Sequence, residues 1–171
     1  MAPPRPGIFL DRDNTLIVDH GYTFRIEEFA WVTGAPAAVR RFCEAGLEVF
    51  IVTNQGGVGL GMFSEQDLTR FHVHLGCEAE RHGAKITDIA YCVHHPKATR
   101  PGFQTPCGCH KPEPGLLLSL AEKWRIDLAK SVMIGDKQSD VEAGRRAGCH
   151  SYLFDGTDLD VLSRWILDLH F

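Results

Sequence analysis

The chain has 171 residues, 44% of them hydrophobic, with a formal net charge of -4. That is enough to bury one full core and predicts a single domain, and the acidic balance argues against a surface built for nucleic acid or an anionic membrane. No run approaches the apolar length of a membrane span and the leading MAPPRPG lacks the apolar centre of a secretory signal, so a soluble, cytoplasmic protein is expected.

Short apolar runs alternate with amphipathic stretches, the pattern of βαβ units around a parallel sheet. Residues 8–10 predict the first strand, which runs into DRDNT. Thr33 opens a helix with Pro36 in its first turn, ending near Gly46. Residues 47–52 form the second strand, bounded by the glycine-rich TNQGGVGLG. Ser64 and Asp67 make a capping pair for a helix with Leu68, Phe71, Leu75 and Ala79 on one face. A third strand over 86–93 leads directly into a stretch rich in Cys, His, Pro and Gly. A helix over 114–124, a strand over 131–134 ending in Gly135 and Asp136, a helix ending near Gly148, a strand over 151–154 and a last amphipathic helix complete the chain.

Polar residues thus recur just after successive strands, which an open parallel sheet gathers along one edge where ligands bind. Asp11 and Asp13 follow the first strand, Thr53 the second and Asp136 the fourth. Like charges at a buried strand end repel and lose hydration, so a bound cation, a chemical task or simple exposure must offset that cost. Alone, a D-x-D suits an exposed turn, Thr53 a cap and Lys111 a solvated surface; their joint placement favours chemistry. Three carboxylates at one point make a hard oxygen site suited to Mg²⁺. Beside that ion a carboxylate can attack phosphorus. Thr53, residues 54–57 and Lys111 can meet the equatorial oxygens, and Asp13 is spaced to protonate a leaving oxygen and then activate water.

Three of the six cysteines, Cys92, Cys107 and Cys109, fall in YCVHHPKATRPGFQTPCGCHKP, which in a cytoplasmic protein points to metal before disulfides. Cys92-x-His94 and Cys107-x-Cys109 can complete a tetrahedral zinc site with no open position, hence a structural one, with His95 as the rival ligand. Such a clip would order a core-poor loop running straight into His110 and Lys111. Cys43, Cys77 and Cys149 read as small buried apolar residues.

DRDNT, Thr53 after its strand, Lys111 before Pro112 and GDKQSD at 135–140 resemble the four ordered motifs of the haloacid dehalogenase (HAD) superfamily of phosphatases, across nearly the whole chain. The resemblance implies an α/β, Rossmann-like three-layer sandwich, with Asp11 as nucleophile, Asp13 as general acid and base, and Mg²⁺ on Asp11, Asp136 and the Asp13 backbone carbonyl. Asp140 is a supporting acid or a helix-start carboxylate. One βα unit separates Asp11 from Thr53, and helix, strand and zinc loop account for the chain from Thr53 to Lys111, so no cap domain is expected. VDHGY, TNQGG, CVHHP and CGCHKP are similar to the zinc-containing branch that acts on heptose 1,7-bisphosphate or histidinol phosphate, with the heptose members matching better. That implies zinc on Cys92, His94, Cys107 and Cys109, and a pocket for a small phosphorylated sugar lined by Asp19, His20, Gly21, Tyr22, Asn54, Gln55, His110 and Lys137. Asn14 stands in place of the usual glycine and His110 in place of an arginine; the first tolerates left-handed backbone, and the second bears on substrate choice. The intact set Asp11, Asp13, Thr53, Lys111 and Asp136 argues against a non-catalytic zinc-containing binding module. A monomer is expected, with neither nucleic acid nor membrane as partner.

Overall fold

The computed structural model describes residues 3–171; Met1 and Ala2 of the leading MAPPRPG lie outside them. Five strands alternate with five helices: β1 (Gly7–Leu10), α1 (Ala35–Glu44), β2 (Glu48–Asn54), α2 (Glu65–Arg81), β3 (Asp88–Cys92), α3 (Gly115–Trp124), β4 (Val132–Gly135), α4 (Gln138–Ala147), β5 (His150–Leu153) and α5 (Leu159–His170). The strands form one sheet in the order β3-β2-β1-β4-β5, every pairing parallel.

The period-2 alternation of the strands sorts the core into two layers. Ile8, Leu10, Val49, Ile51, Val132 and Ile134 pack against α1, α2 and α5. Phe9, Phe50, Val52 and Met133 turn the other way, onto α3 and α4, with the Phe9 and Phe50 rings stacked at 5.1 Å. All four positions of β1 are buried, as a central parallel strand requires. Each such large apolar side chain contributes about 1.5–3 kcal/mol by leaving water. The result is the expected Rossmann-like three-layer α/β sandwich, and no separate cap stands among the described residues. Nor is any described helix long and apolar enough to cross a membrane.

Two local expectations change. The helix predicted to open at Thr33 is capped instead by Gly34 at φ +78°, because the Thr33 carbonyl accepts the Leu159 amide at 3.0 Å and so anchors the start of α5. A side chain at Gly34 would also strike the Asp158 carboxylate that caps α5. Of the three cysteines read as buried apolar residues, Cys149 is buried, Cys43 is half-buried and Cys77 is exposed. The Ser64–Asp67 capping box on α2 forms reciprocally, and Leu68, Phe71, Leu75 and Ala79 face inward.

Candidate active site

Strand order reverses between β1 and β4, and the crevice outside their carboxyl ends holds the acidic cluster. The Asp11 amide donates to the Ile134 carbonyl at 2.9 Å, which seats Asp11 between the two strands. Carboxylate oxygens of Asp11, Asp136 and Asp140 all lie within 4.8 Å of one another. Gly135 makes that approach possible, since a Cβ there would lie 2.3 Å from the side chain of Asp140.

Lys111 enters this cluster from the loop before α3. Its Nζ donates to Asp11 Oδ1 at 2.7 Å and to the Val52 carbonyl at 2.8 Å, and pairs with Asp140 Oδ1 at 2.6 Å. All three donors are therefore spent, and the single ammonium charge is shared between two buried carboxylates and offsets one of them. Burial opposes its charge, but Asp11 and Asp140 more than offset this and raise its pKa. Asp140 makes two contacts, one oxygen pairing with Lys111 and the other accepting the Lys137 amide at the start of α4, the position expected of a helix-start carboxylate. Asn54 holds the Lys111 backbone at both ends, accepting from its amide at 3.0 Å and donating to its carbonyl at 3.2 Å.

Asp13 is fixed through both oxygens, Oδ1 by Arg12 Nε at 2.9 Å and Oδ2 by Gln55 Nε2 at 2.8 Å. Burial raises its pKa, with the Arg12 charge acting against the shift. Gln55 also donates to Thr53 Oγ1 at 2.9 Å, which leaves the Thr53 hydroxyl proton free to be donated elsewhere. Sequence reasoning overlooked Arg12 and its buried neighbour His72, whose pKa burial drives down to about 3. The signal was an arginine held between two aspartates just past a fully buried strand, where a solvated role is unusual.

A cleft of about 300 Å³ opens over Asp13, lined by Asp19, Gly21, Tyr22, Asn54, Gln55, His110 and Lys137 among the residues assigned to the substrate. His20 is not part of that lining: it is exposed, and its amide donates to Thr23 Oγ1 at 2.8 Å. The turn built by Asp19 explains the difference. Its Oδ1 accepts from the Gly21 and Thr23 amides and the Thr23 hydroxyl, closing the loop on itself. Gly21 and Tyr22 take left-handed backbone at φ +89° and +59°. Asn14 is left-handed as well, at φ +58°, and its Oδ1 accepts the Asp19 amide. Gly56, one of the residues expected to meet the phosphate, also lines the cleft, and so does His95, which had been weighed only as a zinc ligand. His95 sits so close to Gly56 that a Cβ there would lie 2.9 Å from the ring, and its Nδ1 accepts the Lys97 amide.

His94, not His95, joins the cysteines. Its Nδ1 lies 3.3 Å from Cys92 Sγ and 3.4 Å from Cys109 Sγ. Cys107 Sγ is 3.7 Å from Cys92 Sγ and 3.6 Å from Cys109 Sγ, while Cys92 and Cys109 approach to 2.9 Å. The longer separations match a tetrahedron around an ion bonded at about 2.3 Å to sulfur and about 2.0 Å to nitrogen. Burial and the neighbouring Cys109 push the Cys92 thiol well up, so a cation must compensate if these thiols are to ionise together.

Residues 108–157 match a family model described as HAD-hydrolase-like. A D-glycero-beta-D-manno-heptose-1,7-bisphosphate 7-phosphatase of Rhodopseudomonas palustris is 42% identical over 166 residues, 97% of this chain and 92% of the relative. The chain belongs to the heptose-bisphosphate phosphatase family of HAD-like hydrolases. The phosphatase of that name from Escherichia coli K12 is 38% identical over 84% of this chain and 75% of its own length. Among solved structures, the D,D-heptose 1,7-bisphosphate phosphatase from B. bronchiseptica, complexed with magnesium and phosphate, superposes with a TM-score of 0.82 at 27% identity, covering 96% of this chain and 99% of the other. As a member of this family the chain is a phosphoric monoester hydrolase, and HAD phosphatases use Mg²⁺. The acidic cluster suits that ion. Asp136 Oδ1 is buried with no hydrogen-bond partner, and burial together with the charges of Asp11 and Asp140 raises the Asp136 pKa to about 7. A hard divalent cation would satisfy that oxygen and relieve the crowding.

Proposed function

We propose that the chain removes the C7 phosphate of D-glycero-D-manno-heptose 1,7-bisphosphate through an aspartyl phosphate at Asp11, on the route to a nucleotide-activated heptose for lipopolysaccharide or surface glycan. The observation that carries this reading is Asp11 Oδ1 pinned by Lys111 while Asp13 borders the cleft. With Oδ1 engaged, Oδ2 is the oxygen that attacks phosphorus. As the Asp11–phosphorus bond forms, the bond from phosphorus to the C7 oxygen breaks, and Asp13 gives that oxygen its proton. Asp13 then takes a proton from the water that hydrolyses the aspartyl phosphate. The Thr53 hydroxyl donates to an equatorial oxygen, and Lys111 keeps the nucleophile aligned and its charge compensated. Mg²⁺ held by Asp11, Asp136 and the Asp13 carbonyl would supply charge neutralisation on the phosphate.

Asp19, Gly21, Tyr22, Asn54, Gln55, His110 and Lys137 receive the sugar and its second phosphate, while His20 acts from outside the cleft. Zn²⁺ on Cys92, His94, Cys107 and Cys109 is structural and fixes the loop at 92–109 that delivers Lys111. The chain acts as one domain over 1–171, as a cytoplasmic monomer without nucleic-acid or membrane partners. Phosphate release with Mg²⁺ from both anomers of the heptose bisphosphate, beside histidinol phosphate under the same conditions, tests the substrate. A specificity constant at least about tenfold higher for one heptose anomer, about 1.4 kcal/mol of transition-state discrimination, is expected. Preference for histidinol phosphate would overturn the assignment and single out His110 as the residue that changed it.

A further inference from the structure

Between the two aspartates that follow β1 stands Arg12, the largest fully buried side chain among the described residues. A buried guanidinium is costly unless its donors are paired, and a hydrophobic side chain of the same volume serves a core as well or better. Each of the three Arg12 nitrogens has a partner. Nε and Nη2 both reach Asp13 Oδ1, at 2.9 and 2.8 Å. Nη2 also donates to the Thr23 carbonyl at 2.7 Å, and Nη1 lies 3.3 Å from His72 Nε2. The guanidinium sits 4.9 Å over the Phe71 ring. Because arginine has no acceptor, His72 Nε2 must accept, which requires a neutral imidazole with its proton on Nδ1.

Three parts of the fold thus meet on one side chain: the strand end that carries Asp13, the cleft loop through Thr23, and α2 through Phe71 and His72. The Nε donor and the Nη2 ion-pair contact both engage Asp13 Oδ1, so Oδ2, bridged to Gln55 beside the cleft, remains for a proton in transit. We infer that Arg12 is a positioning residue for Asp13, fixing which carboxylate oxygen carries the proton and locking that geometry to the cleft loop and, through neutral His72, to α2. This rests on the role proposed above for Asp13 as general acid.

The test compares single-turnover phosphorylation of the holoenzyme by two esters, the heptose bisphosphate with its alkoxide leaving group and 2,4-dinitrophenyl phosphate, whose leaving group needs no proton. Turnover of both by the wild type tests the phosphatase reading by itself, since a wild type inert on both esters would sink that reading. Arg12→Met should then slow the heptose ester about 100-fold, within the range general acid catalysis contributes, and the aryl ester less than about threefold. Arg12→Lys should recover part of the loss, since an ammonium keeps the charge but not the fork. His72→Leu removes only the Nη1 acceptor and should cost the heptose ester several-fold, whereas His72→Gln, which offers an amide oxygen, should restore it. Equal losses on the two esters, or no loss on either, in whichever of these variants folds, would overturn the inference.

Discussion

Lowering the pH from 7 to 5 should cost this protein stability through His72, and His72→Gln should remove that cost. His72 is buried beside the Arg12 cation, and burial first, then that charge, lowers its pKa from 6.5 to about 3. The unfolded chain therefore takes up a proton that the folded one refuses. The stabilisation is complete above pH 6.5 and drains away as pH falls towards 3. At pH 5 the unfolded state is almost fully protonated at this position and the folded state hardly at all, a difference of about 2 kcal/mol, or about 4–8 °C in Tm for a chain of this size. Asp13, Asp136 and Asp140, whose pKa values burial raises, work in the opposite sense, gaining stability as pH falls. The readout is accordingly the difference between wild type and His72→Gln, in which shared contributions cancel. Thermal melts followed by far-UV circular dichroism at pH 7 and pH 5 would measure it, with the wild type losing more than the variant. Parallel losses in the two proteins would show that His72 is not the group refusing the proton.

Asp11→Asn should retain the far-UV spectrum and release no phosphate from any ester; measurable turnover would exclude the aspartyl-phosphate route. Lys111→Met leaves Asp11 and Asp140 facing each other in a nearly dry site, so urea unfolding should show a loss of about 3–5 kcal/mol. A loss below about 1 kcal/mol would mean that the ammonium is not what holds the carboxylates together. Cys107→Ser should lower bound zinc, measured by elemental analysis, well below one ion per chain. It should also open the bond after Lys97 to trypsin while the sheet persists, and an unchanged zinc content would remove Cys107 from the site.

Much of this architecture is written in short range. Alternation places Ile8 and Leu10 on one face and Phe9 on the other, and Ser64 with Asp67 marks the start of α2 within four residues. Asp11, Thr53 and Asp136 are legible as strand-end residues because a parallel sheet brings such ends together whatever the helices do. The grouping of Cys92, His94, Cys107 and Cys109 follows from residue type and close spacing, with His94 preferred to His95 through the family resemblance, and the fold turns the first imidazole to the sulfurs and the second to the cleft.

What the sequence alone determined, then, is the order of elements, the edge of the sheet that carries chemistry, and the residue types able to perform it, since each depends on neighbours a few positions apart. Only the tertiary structure decided that Lys111 spends its donors inside the protein, that Asp19 ties its own loop while His20 stands outside, and that Arg12 and His72 meet across 60 positions. Those arrangements depend on the stacking of α2 and two long loops over the sheet, and no local pattern encodes which distant partner will satisfy a buried charge.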